Sequence, residues 1–168
     1  KVSRKDYSGF HIAASHSDSP TLKIKESSEM NIENQYVKLN VEKYGGMLCA
    51  PWFDRPLSVA GRIIVKDGNR LTTKLINVDR DLLMIPNLAI HMNREVNDGY
   101  KYNIQKDMLP LYRMSNSGKA FKEMIAEEAG VSVDQIKGMD LFLYNRMEGT
   151  VWGCDGEFIS APRLDDLQ

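Results

Sequence analysis

Residues 57–78 read LSVAGRIIVKDGNRLTTKLINV, and this stretch decides the fold that the sequence predicts. An apolar run rich in β-branched residues extends from 57 to 66, meets Asp67-Gly68-Asn69 and continues from 71 to 78. β-branched residues favour strands, and a glycine between Asp and Asn suits the positive backbone angles of a tight turn. We therefore predict a β-hairpin whose turn contains Gly68.

Period-two alternation predicts two further strands on the N-terminal side of this hairpin. Leu22 and Ile24 alternate with lysines, and Val37, Leu39 and Val41 alternate with polar residues. Such alternation is typical of strands that bury one face and expose the other.

Three shorter runs are also predicted as strands. Residues 9–15 (GFHIAAS) form an apolar run bounded by a polar turn, which predicts a buried strand leading into a loop. Residues 139–144 and 157–160 are the other two candidates.

One clear helix is predicted over residues 119–129, where apolar residues form a single stripe and Gly130 follows at the position of a left-handed cap. Residues 132–135 have the form of a capping box and predict a short helical turn. Pro86 disfavours a long helix over residues 85–92. The predicted fold class is α+β and strand-rich, a β-barrel-like or sandwich domain with one or two helices.

Composition limits the classes of function. The 168 residues, 42% hydrophobic and 27% charged, suffice for a compact core and contain no apolar run of about 18 residues that could span a bilayer. The formal charge of -1 gives no reason to expect nucleic acid or an anionic membrane as partner. Cys49 and Cys154 are too few for a disulfide framework, so we expect free thiols and a cytoplasmic location. The start at Lys1, without Met, leads us to expect a segment of a longer protein.

Two polar loops, each after a predicted strand, have residues that suit a metal. His16 and Asp18 form an H-x-D pattern, in which an imidazole can bind a metal while the carboxylate orients it. Asp165 and Asp166 follow the strand predicted at 157–160, and one carboxylate can bridge a pair of cations. Taken singly, each loop is more typical of ordinary solvated surface. A common site requires the two ends of the chain to meet, with the middle as an insertion.

Four short blocks of sequence, spread over nearly the whole chain, are more specific together than any one of them. In chain order they are residues 15–20 (SHSDSP); 44–46 (YGG) with 52–57 (WFDRPL) and 60–62 (AGR); 85–91 (IPNLAIH); and 157–159 (EFI) with 161–165 (APRLD). In the second block we interpret Trp52 and Phe53 as core aromatics beside a turn ion pair of Asp54 and Arg55. This order of blocks resembles the M18 family of aspartyl aminopeptidase-like, dinuclear zinc metalloaminopeptidases.

The resemblance implies roles for four residues. His16 matches the family's first zinc ligand, Asp18 the acid that supports that ligand, and Asp165 the carboxylate that bridges the two metals. His91 matches a histidine that reaches from an inserted domain into the active site of the neighbouring subunit, where a donor can stabilise a developing oxyanion. We therefore expect Asp18 and His91 to be catalytic and His16 and Asp165 to bind metal. Read without the resemblance, His91 would be a packed core histidine.

The resemblance also implies a division of the chain. Residues 1–22 would belong to an α/β zinc-peptidase catalytic domain, residues 23–156 to the inserted dimerisation domain, and residues 157–168 to the return into the catalytic domain. The implied enzyme is a hydrolase that removes N-terminal residues from peptides, holds two zinc ions per subunit and forms homo-oligomers, dimers that build a dodecamer. Cobalt and manganese suit the same ligands. The general base and the remaining ligands lie beyond Gln168 in the family pattern, so we expect the isolated chain to be inactive.

Two alternatives stay open at this point. Asp166 stands where the M18 family often has Asn, and the related M42 metalloaminopeptidases also insert a domain between an H-x-D loop and a Leu-Asp-Asp segment. The blocks at 52–57 and 85–91 favour M18. A non-catalytic assembly module is the alternative from another class. The sequence identifies no residue that would select the N-terminal side chain of a peptide.

Overall fold

A six-stranded sheet organises the part of the chain that the computed structural model describes, residues 9–14, 16 and 18–163. Its strands are β1 (Thr21–Ile32), β2 (Tyr36–Tyr44), β3 (Leu57–Asp67), β4 (Arg70–Asn77), β5 (Leu111–Met114) and β6 (Ile136–Asn145). They lie in the order β4-β3-β6-β1-β2-β5, and every neighbouring pair is antiparallel. A separate antiparallel pair is formed by β7 (Thr150–Trp152) and β8 (Phe158–Ser160).

The central hairpin forms as predicted, with β3 and β4 paired from Asp67 and Arg70 at the turn to Ala60 and Asn77 at the far end. Gly68 has a φ of +57°, the left-handed conformation that a glycine adopts without steric cost. The alternation in β1 and β2 also predicts the faces correctly, since all of the alternating apolar residues are buried: Leu22, Ile24, Val37, Leu39 and Val41.

A short extended segment closes the sheet into a barrel-like shape. Leu57 at the start of β3 exchanges two backbone hydrogen bonds of 2.9 Å with Leu83. Met84 in turn accepts a bond of 2.7 Å from the N–H of Leu111 in β5. The segment therefore bridges β3 and β5, with β4 attached outside the closure, and the strand-rich α+β prediction is confirmed.

One helix of more than two turns packs on this barrel. Helix α1 (Ile104–Asp107) is a single turn, whereas α2 (Phe121–Ala129) buries Phe121, Met124 and Ile125 in the core. Helix α2 begins two residues later than predicted because Ala120 is extended and its N–H is satisfied by the Glu123 carboxylate at 3.0 Å. Gly130 ends the helix with a φ of +63°, as predicted. None of the described helices is long and apolar enough to cross a membrane.

The segment around Pro86 contains no long helix, in agreement with the sequence. Its helical parts are 3-10 turns at Ile90–Met92 and Val96–Asp98, and further turns lie at Ala50–Trp52 and Val133–Gln135. The last of these confirms the turn predicted from the capping box at 132–135, and the strand predictions at 139–144 and 157–160 are confirmed by β6 and β8.

The prediction of a buried strand over residues 9–15 is wrong for the described residues 9–14. They form no strand, and the side chains of Phe10 and Ile12 are 67% and 86% exposed. An apolar run forms a buried strand only where a neighbouring strand satisfies its backbone and another surface covers its side chains. None of the described strands pairs with this run. Ser15 lies outside the described residues.

Candidate functional site

The H-x-D loop lies immediately before β1. The Nδ1 atom of His16 is 3.3 Å from Oδ1 of Asp18, and both side chains are largely exposed. In a neutral imidazole, an acid facing Nδ1 selects the tautomer with its proton on that atom, which leaves the lone pair of Nε2 for a cation. The geometry therefore suits a histidine metal ligand oriented by an acid.

A third residue, which no pattern in the sequence marks as functional, contacts this pair. The hydroxyl of Tyr44, at the end of β2, donates a 2.9 Å hydrogen bond to Oδ2 of Asp18. This hydrogen bond and the negative charge of Asp18 raise the pKa of Tyr44, because both favour the phenol that keeps its proton. The two oxygens of Asp18 thus contact two different side chains.

Strand pairing holds the H-x-D loop close to Tyr44. Tyr44 is the direct partner of Thr21 in the β1–β2 register, and Thr21 is three residues after Asp18. Gly45 has a φ of +77°, and a β-carbon there would lie 3.5 Å from Pro20. The chain after β2 therefore turns back over the loop that precedes β1.

The two ends of the described chain line common clefts. Ser19 and Pro20 from the N-terminal loop, and Pro162 and Arg163 from the segment after β8, lie around the side chain of Trp52. The guanidinium carbon of Arg163 is 5.6 Å from the centre of the Tyr144 ring. Asp165, the expected bridging ligand, lies outside the described residues. The structure therefore brings together the segment that follows His16 and the segment that leads to Asp165.

His91 lies in the 3-10 turn Ile90–Met92 and is exposed. Three apolar neighbours, Leu88, Ile90 and Met92, are also largely exposed, so His91 is not a packed core residue. No hydrogen bond or ion pair within the described part of the chain joins His91 to His16 or Asp18.

Asp54 holds the residues that precede the His91 turn, through contacts that no pattern in the sequence predicted. The Asp54 carboxylate accepts a 2.9 Å hydrogen bond from the N–H of Asn87, and its own N–H donates to Ile85 at 3.0 Å. The predicted ion pair between Asp54 and Arg55 is absent from the described residues, because the Asp54 carboxylate is used for the Asn87 N–H and Arg55 contacts the sulfur of Met147 at 2.9 Å. The core role of the aromatic neighbours is confirmed: Phe53 is buried and Trp52 packs against the core.

The described residues do not contain a complete metal site. Nowhere in residues 9–14, 16 and 18–163 do three or more His, Cys, Asp or Glu side chains converge in a way that could hold a metal ion. Cys49 and Cys154 are both free thiols, as predicted. A metal bound by His16 would therefore need its other ligands from outside the described residues.

Comparison with known proteins agrees with this geometry. The family model described as aminopeptidase I zinc metalloprotease (M18) matches residues 1–168. A curated relative from Clostridium acetobutylicum, "Probable M18 family aminopeptidase 2", is 50% identical over 167 residues. The match covers 95% of this chain but only 38% of the relative, so the chain spans well under half of that protein's length.

Solved structures show the same fold. Chaetomium thermophilum mApe1 is similar with a TM-score of 0.75 and 34% identity, over 89% of this chain and 37% of that one. The S. cerevisiae mApe1 dodecamer is similar with a TM-score of 0.70 and 26% identity, over 90% of this chain and 34% of that one. In both, the described fold corresponds to about a third of a longer chain.

Proposed function

The chain belongs to the M18 family of zinc metalloproteases, and from this we propose that it is part of a metalloaminopeptidase that removes N-terminal residues from peptides. The observation that carries the proposal is the family match along the whole chain. The contact between His16 and Asp18 supports it, because it prepares an imidazole to bind a cation.

His16 and Asp165 are the residues of this chain that would hold zinc, with two zinc ions per subunit, and cobalt or manganese as alternatives. The donor set fits, since imidazole nitrogen and carboxylate oxygen are the usual ligands of zinc in catalytic sites. When bound, such a metal pair supplies a Lewis acid that polarises a peptide carbonyl and activates water. The zinc description of the family supports the choice of metal.

In the proposed enzyme, this chain's own residues position the metal ligands. Asp18 faces Nδ1 of His16 and so orients the ring, which would present Nε2 to a metal. Pro20, Trp52 and Arg163 line one cleft, so the segment that follows His16 and the segment that leads to Asp165 lie near each other. The remaining ligands, the general base and the pocket for the peptide side chain come from outside this chain in the proposed enzyme.

We assign residues 1–22 and 157–168 to the catalytic domain and residues 23–156 to an inserted dimerisation domain. The six-stranded sheet lies between residues 21 and 145, so all of it except the first two residues of β1 falls within the assigned insertion, which supports a self-contained domain. The β7–β8 pair joins the assigned insertion to the returning segment, since β7 lies before residue 157 and β8 lies after it. The dodecameric mApe1 relative supports assembly of the enzyme as a homo-oligomer. That dimers build this assembly is implied by the family resemblance. The two free thiols favour the cytoplasm, a reducing compartment.

His91 is proposed to act across the dimer, on the neighbouring subunit's active site. Its turn is exposed together with apolar neighbours, which suits a segment that packs on another surface. A donor placed at a developing oxyanion contributes about 10²–10³ in kcat. We therefore expect His91→Ala to lower kcat by this factor with little change in KM, measured on the enzyme that carries this chain.

Mixing variants tests whether His91 acts in trans. In a dimer of one His91→Ala subunit and one His16→Ala subunit, one active site has both histidines only if His91 comes from the partner. Coexpression should then restore about a quarter of the wild-type activity, because half of randomly formed dimers are mixed and each holds one intact site. Mixed dimers without activity would contradict the assignment.

The family match favours M18 over the M42 class that Asp166 left open. A non-catalytic assembly role is separated from the proposal by assaying the isolated 168 residues beside the enzyme that carries them. The enzyme should release amino acids from peptides and the isolated chain should not, because His16 and Asp165 are too few ligands for two zinc ions. Metal-dependent release by the isolated chain would contradict this division of labour, and release by neither protein would favour the assembly role.

A further inference from the structure

We propose that Tyr44 is a positioning residue for the metal site, because its hydroxyl fixes the Asp18 carboxylate that orients His16. The inference rests on the proposed function, since it assumes that His16 binds the metal. Three side chains form a relay: the Tyr44 hydroxyl donates to Oδ2 of Asp18 at 2.9 Å, and Oδ1 of Asp18 lies 3.3 Å from Nδ1 of His16.

Asp18 needs a second partner because it is exposed. Its side chain is 63% accessible to solvent, and a carboxylate with one contact could rotate and present either oxygen to water instead of to His16. The hydrogen bond from Tyr44 occupies one oxygen and leaves the other directed at the imidazole. The plane of the carboxylate is then fixed from both sides.

Tyr44 can do this because the sheet fixes its ring. The ring packs edge-on against Phe142 of β6, with centroids 5.8 Å apart and planes at 70°. The backbone of Tyr44 pairs with Thr21, whose hydroxyl donates to the carbonyl of Leu143, the residue after Phe142. The phenol therefore projects from a junction of three strands, β1, β2 and β6.

The same geometry connects the two parts of the chain. Tyr44 belongs to the segment assigned to the dimerisation domain, whereas His16 and Asp18 belong to the segment assigned to the catalytic domain. Through its hydrogen bond to Asp18, Tyr44 thus fixes the orientation of the first metal ligand, His16, relative to the sheet. A residue outside the catalytic domain thereby adjusts how tightly the metal is held.

Tyr44→Phe tests the inference by removing only the hydroxyl. The measurement is the zinc affinity of the enzyme, obtained by competition with a chelator of known affinity. Loss of a partner behind a metal ligand typically lowers affinity 10–100-fold, so we expect a fall of about tenfold or more at one site. The melting temperature of the metal-free enzyme should not change, since the phenol is 46% exposed and its ring contact with Phe142 remains.

Tyr36→Phe is the matched control. Tyr36 lies at the other end of β2, is 41% exposed, and its hydroxyl has no hydrogen-bond partner among the described residues. Its substitution should leave zinc affinity unchanged. Equal losses in the two variants would overturn the proposal.

A double-mutant cycle separates positioning from a general effect. If Tyr44 acts through Asp18, then Tyr44→Phe should cause no further loss of zinc affinity in an Asp18→Ala background. An undiminished loss there, or unchanged affinity in the single Tyr44→Phe variant, would overturn the inference. His16→Ala identifies which claim has failed: if it lowers zinc affinity, the metal site stands and only the role of Tyr44 is wrong, whereas unchanged affinity would contradict the proposed function as well.

Discussion

Replacing His16 with alanine is expected to lower kcat/KM of the enzyme by about a thousandfold or more, beyond the 10–100-fold typical of residues that only support a ligand. Among the described residues, the His16 imidazole is the one candidate metal donor that lies beside an orienting carboxylate, at 3.3 Å. A vacant coordination position loosens the metal and the water that it activates. Zinc content per subunit should fall together with activity.

His11→Ala is the matched control for that experiment. His11 lies five residues earlier in the same loop segment, is exposed, and stands outside the H-x-D pattern. Its substitution removes the same side chain from a similar environment and should leave activity and zinc content unchanged. Full activity in His16→Ala, or an equal loss in His11→Ala, would contradict the assignment of His16.

Gly61→Ala is expected to destabilise the barrel by about 3 kcal/mol or more, the upper part of the range for forcing extra atoms into a packed structure. Gly61 lies in β3 with a φ of +152°, which residues with a side chain rarely adopt. A methyl group there would overlap the carbonyl oxygen of Asp140 and lie 3.0 Å from Cα of Leu141. Both atoms belong to the backbone of β6, so no side chain can move aside.

The measurement is the free energy of unfolding from denaturant titration, with Gly138→Ala as the control. Gly138 lies in β6 of the same sheet, but a β-carbon there would lie 3.7 Å from the side chain of Ile64, an ordinary contact. We expect that variant to stay within about 0.5 kcal/mol of wild type. A Gly61→Ala protein as stable as the control would show that β3 and β6 are not as close as the structure has them.

Local patterns predicted most of the elements of this fold, because the forces that form them act between near neighbours in sequence. The hairpin of β3 and β4 depends on a β-branched run and on Gly68, and the end of α2 depends on Gly130. The closure of the barrel was not predictable in this way. Leu83 pairs with Leu57, and Met84 pairs with Leu111, and neither pairing leaves a period or a turn signal in the sequence.

The contacts of the candidate site also fall into local ones, which the sequence predicts, and long-range ones, which it does not. The H-x-D pattern brings His16 and Asp18 together because they are two residues apart. Tyr44 joins them through the pairing of β1 with β2, and Asp54 fixes the segment before His91 through a backbone N–H 33 residues away. For residues 9–14 the sequence prediction was wrong, because their apolar character predicted burial whereas burial also requires another surface that covers them.

The most direct test of the central claim is the release of free amino acids by the enzyme that carries this chain. The substrates are peptides with N-terminal aspartyl, glutamyl and leucyl residues, each assayed with and without a chelator and after zinc is restored. We expect release that the chelator abolishes and zinc restores, and the most rapidly hydrolysed peptide identifies the preferred residue. A folded, zinc-loaded enzyme that releases no amino acid from any of these peptides would contradict the account.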